Sequence, residues 1–206
     1  MCGYQGIFVS VGRPVRFDVR CAHCGCRERH RLMWLWITEN GMNKIEGKRI
    51  LHFAPEGVWI RKMKDNPLYE TADLHQKGVS YSVDITNLPF ENGSYDVVIA
   101  NHVLEHIDDD DAAIRETHRI LKSGGFALIT VPINTSRYET YRNPLVTSAA
   151  QRLAHFGGTD HKRYYGLDFE NLLSSHGFAV DTFRISPEQE VRYGLLRDEW
   201  IYIARK

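Results

Sequence analysis

From residue 48 onward, short apolar runs alternate with longer stretches whose apolar positions recur at helical spacing. RILHFA is apolar almost throughout and reads as a buried strand. Residues 57–66 read as a short helix that stops at Asn66-Pro67. YETADL is a second strand with Asp73 near its end, and VSYSVDI a third with Asp84 near its end. SYDVVIAN is the fourth and the richest in apolar residues. Asp109 to Lys122 carries Ala113, Ile114, His118 and Leu121 at helical spacing, which predicts an amphipathic helix. Gly124-Gly125 should end it, with FALITVP as a fifth strand. Residues 134–165 read as polar and irregular, and so long a connection is usually functional or mobile. Leu167 to His176 predicts a helix stopped by Gly177; FAVDTFRI and EWIYIARK are late strands able to pair as a terminal hairpin on the sheet edge. This alternation implies an α/β fold: a doubly wound, Rossmann-like, mostly parallel sheet with an antiparallel C-terminal strand.

The first 26 residues have a different texture. Gly3, Gly6, Gly12, Pro14 and Gly25 punctuate the β-prone runs IFVSV and VRFDV, a pattern expected of a small hairpin. Arg27 to Asn40 then predicts a helix with Leu32, Trp34, Leu35 and Ile37 as apolar surface and Gly41 as its stop. All four cysteines, Cys2, Cys21, Cys24 and Cys26, fall in the first segment. In a reducing compartment such clustering suggests metal before disulfide. The expected division is a cysteine-containing β segment, 1–26, ahead of a main domain, 27–206, with the helix packed on the core.

Composition narrows the function classes. At 43% hydrophobic and 25% charged, the 206 residues suit one soluble domain plus an appendage. A formal net charge of zero gives no global pull toward nucleic acid or anionic membrane. No apolar run approaches the roughly 20 residues that span a bilayer, and the N-terminus lacks the basic-then-apolar order of a signal peptide. A cytoplasmic location is the expectation.

Residues 49–131 resemble the class I S-adenosylmethionine-dependent methyltransferases of the type 11 group. RILHFAPEG, YETADL, VDITNLPFENGSYDVVIANHVLEHI and IRETHRILKSGGFALITVP carry the resemblance, in family order. It implies S-adenosylmethionine as cofactor. Asp73, about 20 residues after the first loop, is spaced to accept the ribose hydroxyls, with Leu74 beside it; the alternative is an Asp that caps its own loop. Asp84 and Ile85 resemble the positions beside the adenine ring, a turn Asp being the competitor. Asn101 and His102 should face the methionine end. The first loop departs from the glycine-rich family pattern: it reads His52-Phe53-Ala54-Pro55-Glu56-Gly57. One reading is a variant loop in which His52 and Ala54 approach the cofactor and Glu56 accepts from its amino group. The other is a degraded site.

CAHCG looks like a zinc-knuckle turn, and the LHFAPE-type subgroup carries a small zinc ribbon at this place. MCGY resembles a truncated second knuckle. Cys2, Cys21 and Cys24 match, the partner before Cys2 does not, and Cys26, His23 or His30 are the candidates for the fourth position. A structural zinc is thus expected, a metal-free relic being the alternative. For catalysis, histidine suits proton removal near neutral pH, and the candidates are His102, His106 and His161. His106 and Glu105 read as structural. His161 lies in GGTDHKRYYG, similar to a segment that closes over the active site in the resembling group. There Asp160 would orient the imidazole and Arg163 bind an anionic substrate group, with Tyr138 and Tyr164, and more weakly Tyr141 and Arg142, lining the pocket. The leading reading is a small-molecule methyltransferase acting on oxygen or nitrogen of a sugar or glycan precursor. The rivals are methylation of RNA or protein, with the basic Arg20, Arg27, Arg29 and Arg31 junction as a docking surface, and a non-catalytic nucleotide-binding protein.

Overall fold

The computed structural model describes residues 1–12, 15–40 and 44–206. Pro14 and the expected helix stop Gly41 lie outside the described residues. The N-terminal segment is an antiparallel pair, β1 (Val9–Val11) and β2 (Arg16–Arg20), followed by α1 (Glu28–Glu39). Then come β3 (Ile50–Phe53), α2 (Gly57–Met63), β4 (Tyr69–Ala72), β5 (Tyr95–Asn101), α3 (Asp110–Ile120) and β6 (Leu121–Thr130). The C-terminal third holds β7 (Tyr141–Arg142), α4 (Ala149–Phe156), β8 (Arg163–Tyr164), α5 (Phe169–Ser175), β9 (Ala179–Phe183), α6 (Pro187–Tyr193) and β10 (Ile201–Arg205).

The main sheet has six strands in the order β4-β3-β5-β6-β10-β9. β4, β3, β5 and β6 are mutually parallel, and β10 runs antiparallel between β6 and β9. Both faces are covered, which is why the central strands are apolar without alternation. Period two still sorts their side chains. Ile50, Val97, Ile99, Leu128, Ile201 and Ile203 pack with Leu32, Met33, Trp36 and Ile37 of α1 and Trp59 of α2. Leu51, Phe53, Val98 and Ala100 pack on the other face with Ala113 and Ile114 of α3 and Phe169 and Leu173 of α5. The N-terminal helix therefore builds half of the core. No helix among the described residues is long and apolar enough to cross a membrane.

Four expectations need correction. VSYSVDI is not a full strand: Tyr81 alone forms a bridge, to Ala72. The side chains of Thr71 and Ser80 exchange bonds with each other's backbone N–H groups at 2.9 and 3.1 Å, taking the place of ladder bonds at this edge. Gly124-Gly125 do not end α3, because β6 begins already at Leu121. They sit where its register on β5 slips, and a Cβ on Gly125 would lie 2.8 Å from the Asp96 carbonyl oxygen. The 134–165 connection is not irregular throughout. α4 starts on a Ser148–Gln151 capping box and ends on Gly157 at φ 79°, signals present in the chain itself. Finally, the polar link between β9 and β10 holds α6, with the same Ser-x-x-Gln start, and β10 is interior while β9 is the edge.

Candidate functional site

At the carboxyl ends of β3, β4 and β5 a cleft of about 740 Å³ opens. Phe53, Ala54, Asp73, Leu74, Asp84, Ile85, His102, Val103, His106 and Asp160 are among its lining residues. This is the position the topology of a parallel sheet assigns to a ligand. Ala54 leaves β3 at φ 47° and His102 leaves β5 at φ 50°. Both are in the left-handed region that costs a non-glycine residue about 1–2 kcal/mol. Ala54 therefore adopts the backbone of a glycine-type loop without the glycine, its N–H bonded to the Ala72 carbonyl at 2.9 Å.

Asp73 and Asp84 each spend one oxygen on their own loops. Asp73 Oδ1 accepts from His75 N and Gln76 N, both at 2.7 Å; Asp84 Oδ1 accepts from Thr86 N at 2.8 Å and Thr86 Oγ1 at 2.7 Å. Among the described residues the second oxygen of each makes no hydrogen bond. Loop capping and ligand binding are thus compatible: the cap orients the carboxylate and leaves an acceptor in the cleft.

Three expected cofactor residues are elsewhere. His52 and Asn101 share the strand face of Ile50, Val97 and Ile99, so period two turns them toward α1 and α2. His52 is fully buried, its Nδ1 2.8 Å from the Tyr69 hydroxyl, and burial lowers its pKa to about 4. Asn101 accepts from Thr130 Oγ1 at 3.0 Å and donates to Met33 Sδ. Glu56 is turned to α1: Arg29 Nε donates to it at 2.7 Å and His30 Nε2 lies 2.7 Å away. Burial works against that carboxylate, yet His30 and Arg29 outweigh it and lower its pKa to about 2.

His102 is engaged at both ring nitrogens. Its Nδ1 lies 3.1 Å from Glu105 Oε1 and its Nε2 3.1 Å from Glu199 Oε1. Burial opposes its charge, but the bonds to Glu105 and Glu199 prevail and raise the pKa to about 10. At neutral pH it is a cation with both nitrogens engaged. It stands between the main cleft and a second cavity of about 440 Å³ whose lining includes Asn134, Tyr164 and Glu199. Glu199, nearly a hundred residues from His102, gave no sign of this role in the chain.

The expected Asp160–His161 pairing is also replaced. Asp160 Oδ2 lies 3.2 Å from His106 Nδ1, whereas His161 Nδ1 donates to the Phe156 carbonyl at 3.0 Å. His161 stands behind His106, the rings edge to face at 4.9 Å. Gly158 leaves room for that imidazole, since a Cβ there would collide with it. Arg163 does not face a substrate pocket: it is buried, 2.7 Å from Asp110 Oδ2, which also takes Arg142 at 2.8 Å and the Tyr165 hydroxyl at 2.8 Å. Burial works against the Asp110 charge, and the two arginines and Tyr165 hold its pKa below the ordinary value. Tyr138 is exposed, its hydroxyl accepting from Asn171 Nδ2 at 2.9 Å.

In the N-terminal segment Cys2, Cys21 and Cys24 converge, their sulfurs within 4.8 Å of one another and those of Cys2 and Cys21 at 3.7 Å. Tetrahedral zinc with bonds of about 2.3 Å spaces its sulfurs about 3.8 Å apart, so these three fit one ion. Cys26 is buried with Arg31 Nη1 at 4.0 Å from its sulfur, His23 stacks on Tyr4, and His30 Nδ1 accepts from Arg27 N.

Residues 64–129 match the family described as a methyltransferase domain. The chain is similar to a mitochondrial 2-methoxy-6-polyprenyl-1,4-benzoquinol methylase of Leishmania donovani, 29% identical over 54% of this chain and 35% of that protein. It spans less than half the length of the first curated relatives it matches. An S-adenosylmethionine-dependent methyltransferase of Mesorhizobium loti shares the fold with a TM-score of 0.59 at 19% identity, over 85% of this chain and 98% of that one. So does the 1,6-didemethyltoxoflavin-N1-methyltransferase of Burkholderia thailandensis, solved with S-adenosylhomocysteine bound (TM-score 0.55, 16% identity, 87% and 77% coverage). Sheet order and cleft give the chain the fold of these S-adenosylmethionine-dependent methyltransferases, and residues 64–129 are the segment similar to a methyltransferase domain.

Proposed function

We propose that this chain transfers the methyl group of S-adenosylmethionine to a small-molecule acceptor, an oxygen or nitrogen of a sugar or glycan precursor. The observation that carries the reading is the convergence of Asp73, Asp84, Ile85 and the left-handed Ala54 and His102 on one cleft. In this reading Asp73 accepts the ribose hydroxyls, Asp84 the adenine amino group, and Leu74 and Ile85 cover the ring. The bound cofactor supplies an activated methyl on a sulfonium. The chain holds the acceptor in line with it, on the side of the cleft where His102 and His106 lie, with His106 and His161 as candidates to take the acceptor's proton. The free thiols suit a reducing, cytoplasmic compartment, and residues 1–26 serve as a zinc-held cap on a methyltransferase domain of residues 27–206.

Nucleic acid is disfavoured as acceptor because two of the four arginines of the basic junction are engaged internally. Arg29 pairs with Glu56, and Arg31 donates to the carbonyls of Val19, Tyr193 and Gly194. Calorimetry with S-adenosylmethionine and its thioether product tests the reading. Asp73→Ala should weaken binding by about 1.5–3 kcal/mol, the range for a hydrogen bond to a charged group, or roughly 10- to 150-fold. An unchanged dissociation constant removes Asp73 from the site, and no binding at high micromolar cofactor by the wild type returns the chain to a non-catalytic reading.

A further inference from the structure

Glu105, His106 and His161 offer three ligand atoms within 4.8 Å of one another, on the flank of the cleft. The Glu105 side chain is fully buried, and its Oε2 has no hydrogen-bond partner, although a buried carboxylate oxygen is costly to leave unpaired. Its Oε1 lies 4.0 Å from His106 Nε2. The two imidazoles are oriented alike. His106 turns Nδ1 to the Asp160 carboxylate and His161 turns Nδ1 to the Phe156 carbonyl, which leaves both Nε2 atoms with lone pairs. A carboxylate or carbonyl on the far nitrogen is the arrangement that orients metal-ligating histidines. Glu105 and His106 share one 3-10 turn, Leu104–His106, which the Lys162 N–H holds to the second segment by donating to the Glu105 carbonyl at 2.7 Å.

We propose that Glu105, His106 and His161 form a divalent-cation site, two imidazoles and one carboxylate, with Asp160 supporting His106. Such a donor set suits zinc, iron(II) or cobalt(II) and leaves coordination positions open. Ligand bonds of about 2.1 Å space the donors about 3–4 Å apart, so modest side-chain rotation closes the present group around an ion. His106 and Asp160 line the cleft, and the open positions there would take an acceptor hydroxyl or carboxylate oxygen. This rests on the methyl-transfer reading for its role but not for its existence. With an ion in place the histidines serve as ligands and the ion makes the bound acceptor hydroxyl more acidic; its proton leaves to water as the oxygen–methyl bond forms and the sulfur–methyl bond breaks.

Cobalt(II) titration of the metal-stripped full chain tests it, because cobalt on nitrogen and oxygen shows visible ligand-field bands without the sulfur charge-transfer bands of a thiolate site. The expected result is one equivalent bound with that signature, whether or not the cysteine cluster takes a second. His161→Ala should abolish it. Asp160→Asn, at an exposed carboxylate, should weaken it about 10-fold or more. Cobalt spectra with thiolate bands alone, or a titration unchanged in His161→Ala, overturn the site. Cofactor calorimetry on the same samples reports separately on the methyl-transfer reading.

Discussion

At the scale of single residues, charge burial separates what binds from what braces. Arg163 and Arg142, both beside the expected acceptor pocket in the chain, converge instead on Asp110, which is 1% exposed. Removing one partner of a buried ion pair leaves an uncompensated charge, at a cost of about 3–5 kcal/mol. Asp110→Ala should therefore lower the unfolding free energy measured by urea denaturation by that much while leaving cofactor affinity in the folded fraction unchanged. A loss under 1 kcal/mol would show that Arg163 finds water or another acceptor. The same logic reassigns His102. A histidine at a strand end invites the role of base, but two carboxylates make it a fixed cation that links cofactor cleft and second cavity.

At the scale of elements, the site depends on how strand ends are shaped. The slip in β6 brings its Gly125 against the Asp96 carbonyl of β5. Gly125→Ala should cost about 1–3 kcal/mol, the usual range for overpacking, and the loss should show in thermal melts without a change in cofactor stoichiometry. The cysteine segment is the second such element. β1 and β2 form a lone two-stranded pair, marginal by itself in water. If zinc holds it, chelator treatment should release that metal and raise thiol reactivity at Cys2, Cys21 and Cys24. Equal reactivity before and after chelation would mark the cluster as metal-free. The elements that escaped the sequence reading are short ones. α4 and α6 have clear start signals at Ser148 and Ser186, yet fewer than three turns of periodicity. The Tyr81 edge, by contrast, reads as a strand but keeps only a short ladder around Tyr81, hydroxyl bonds taking over at Thr71 and Ser80.

At the scale of the molecule, the N-terminal helix and the sheet act as one core, tied by Glu56 to Arg29 and His30 and by Asn101 to Met33, with the buried His52–Tyr69 pair beneath. That union sets the acid response. His52 is buried with its pKa lowered to about 4, against about 6.5 unfolded, so the unfolded chain binds the extra proton first. Its contribution to stability is present above pH 6.5 and is lost as pH falls toward 4. Glu56, lowered to about 2 through its partners His30 and Arg29, contributes stability that is present above pH 4.5 and lost as pH falls toward 2. Denaturant midpoints measured from pH 7 to 3 should fall continuously below 6.5, and a midpoint constant from 6.5 to 4 would contradict a buried neutral His52. The chain by itself determined the parallel core, the spacing of the two aspartates that line the cleft and the clustering of thiols, because hydrophobic period, turn residues and local spacing are properties of neighbours in sequence. Parity along β3 and β5 would have removed His52 and Asn101 from the cleft, since Ile50, Val97 and Ile99 mark the face they share. Only the tertiary structure decided that Glu199 meets His102, that Asp110 takes Arg163, and that Asp160 serves His106. A charged side chain pairs with whatever opposite charge the folded backbone brings within hydrogen-bond reach, and that partner is set by topology, not by distance along the chain.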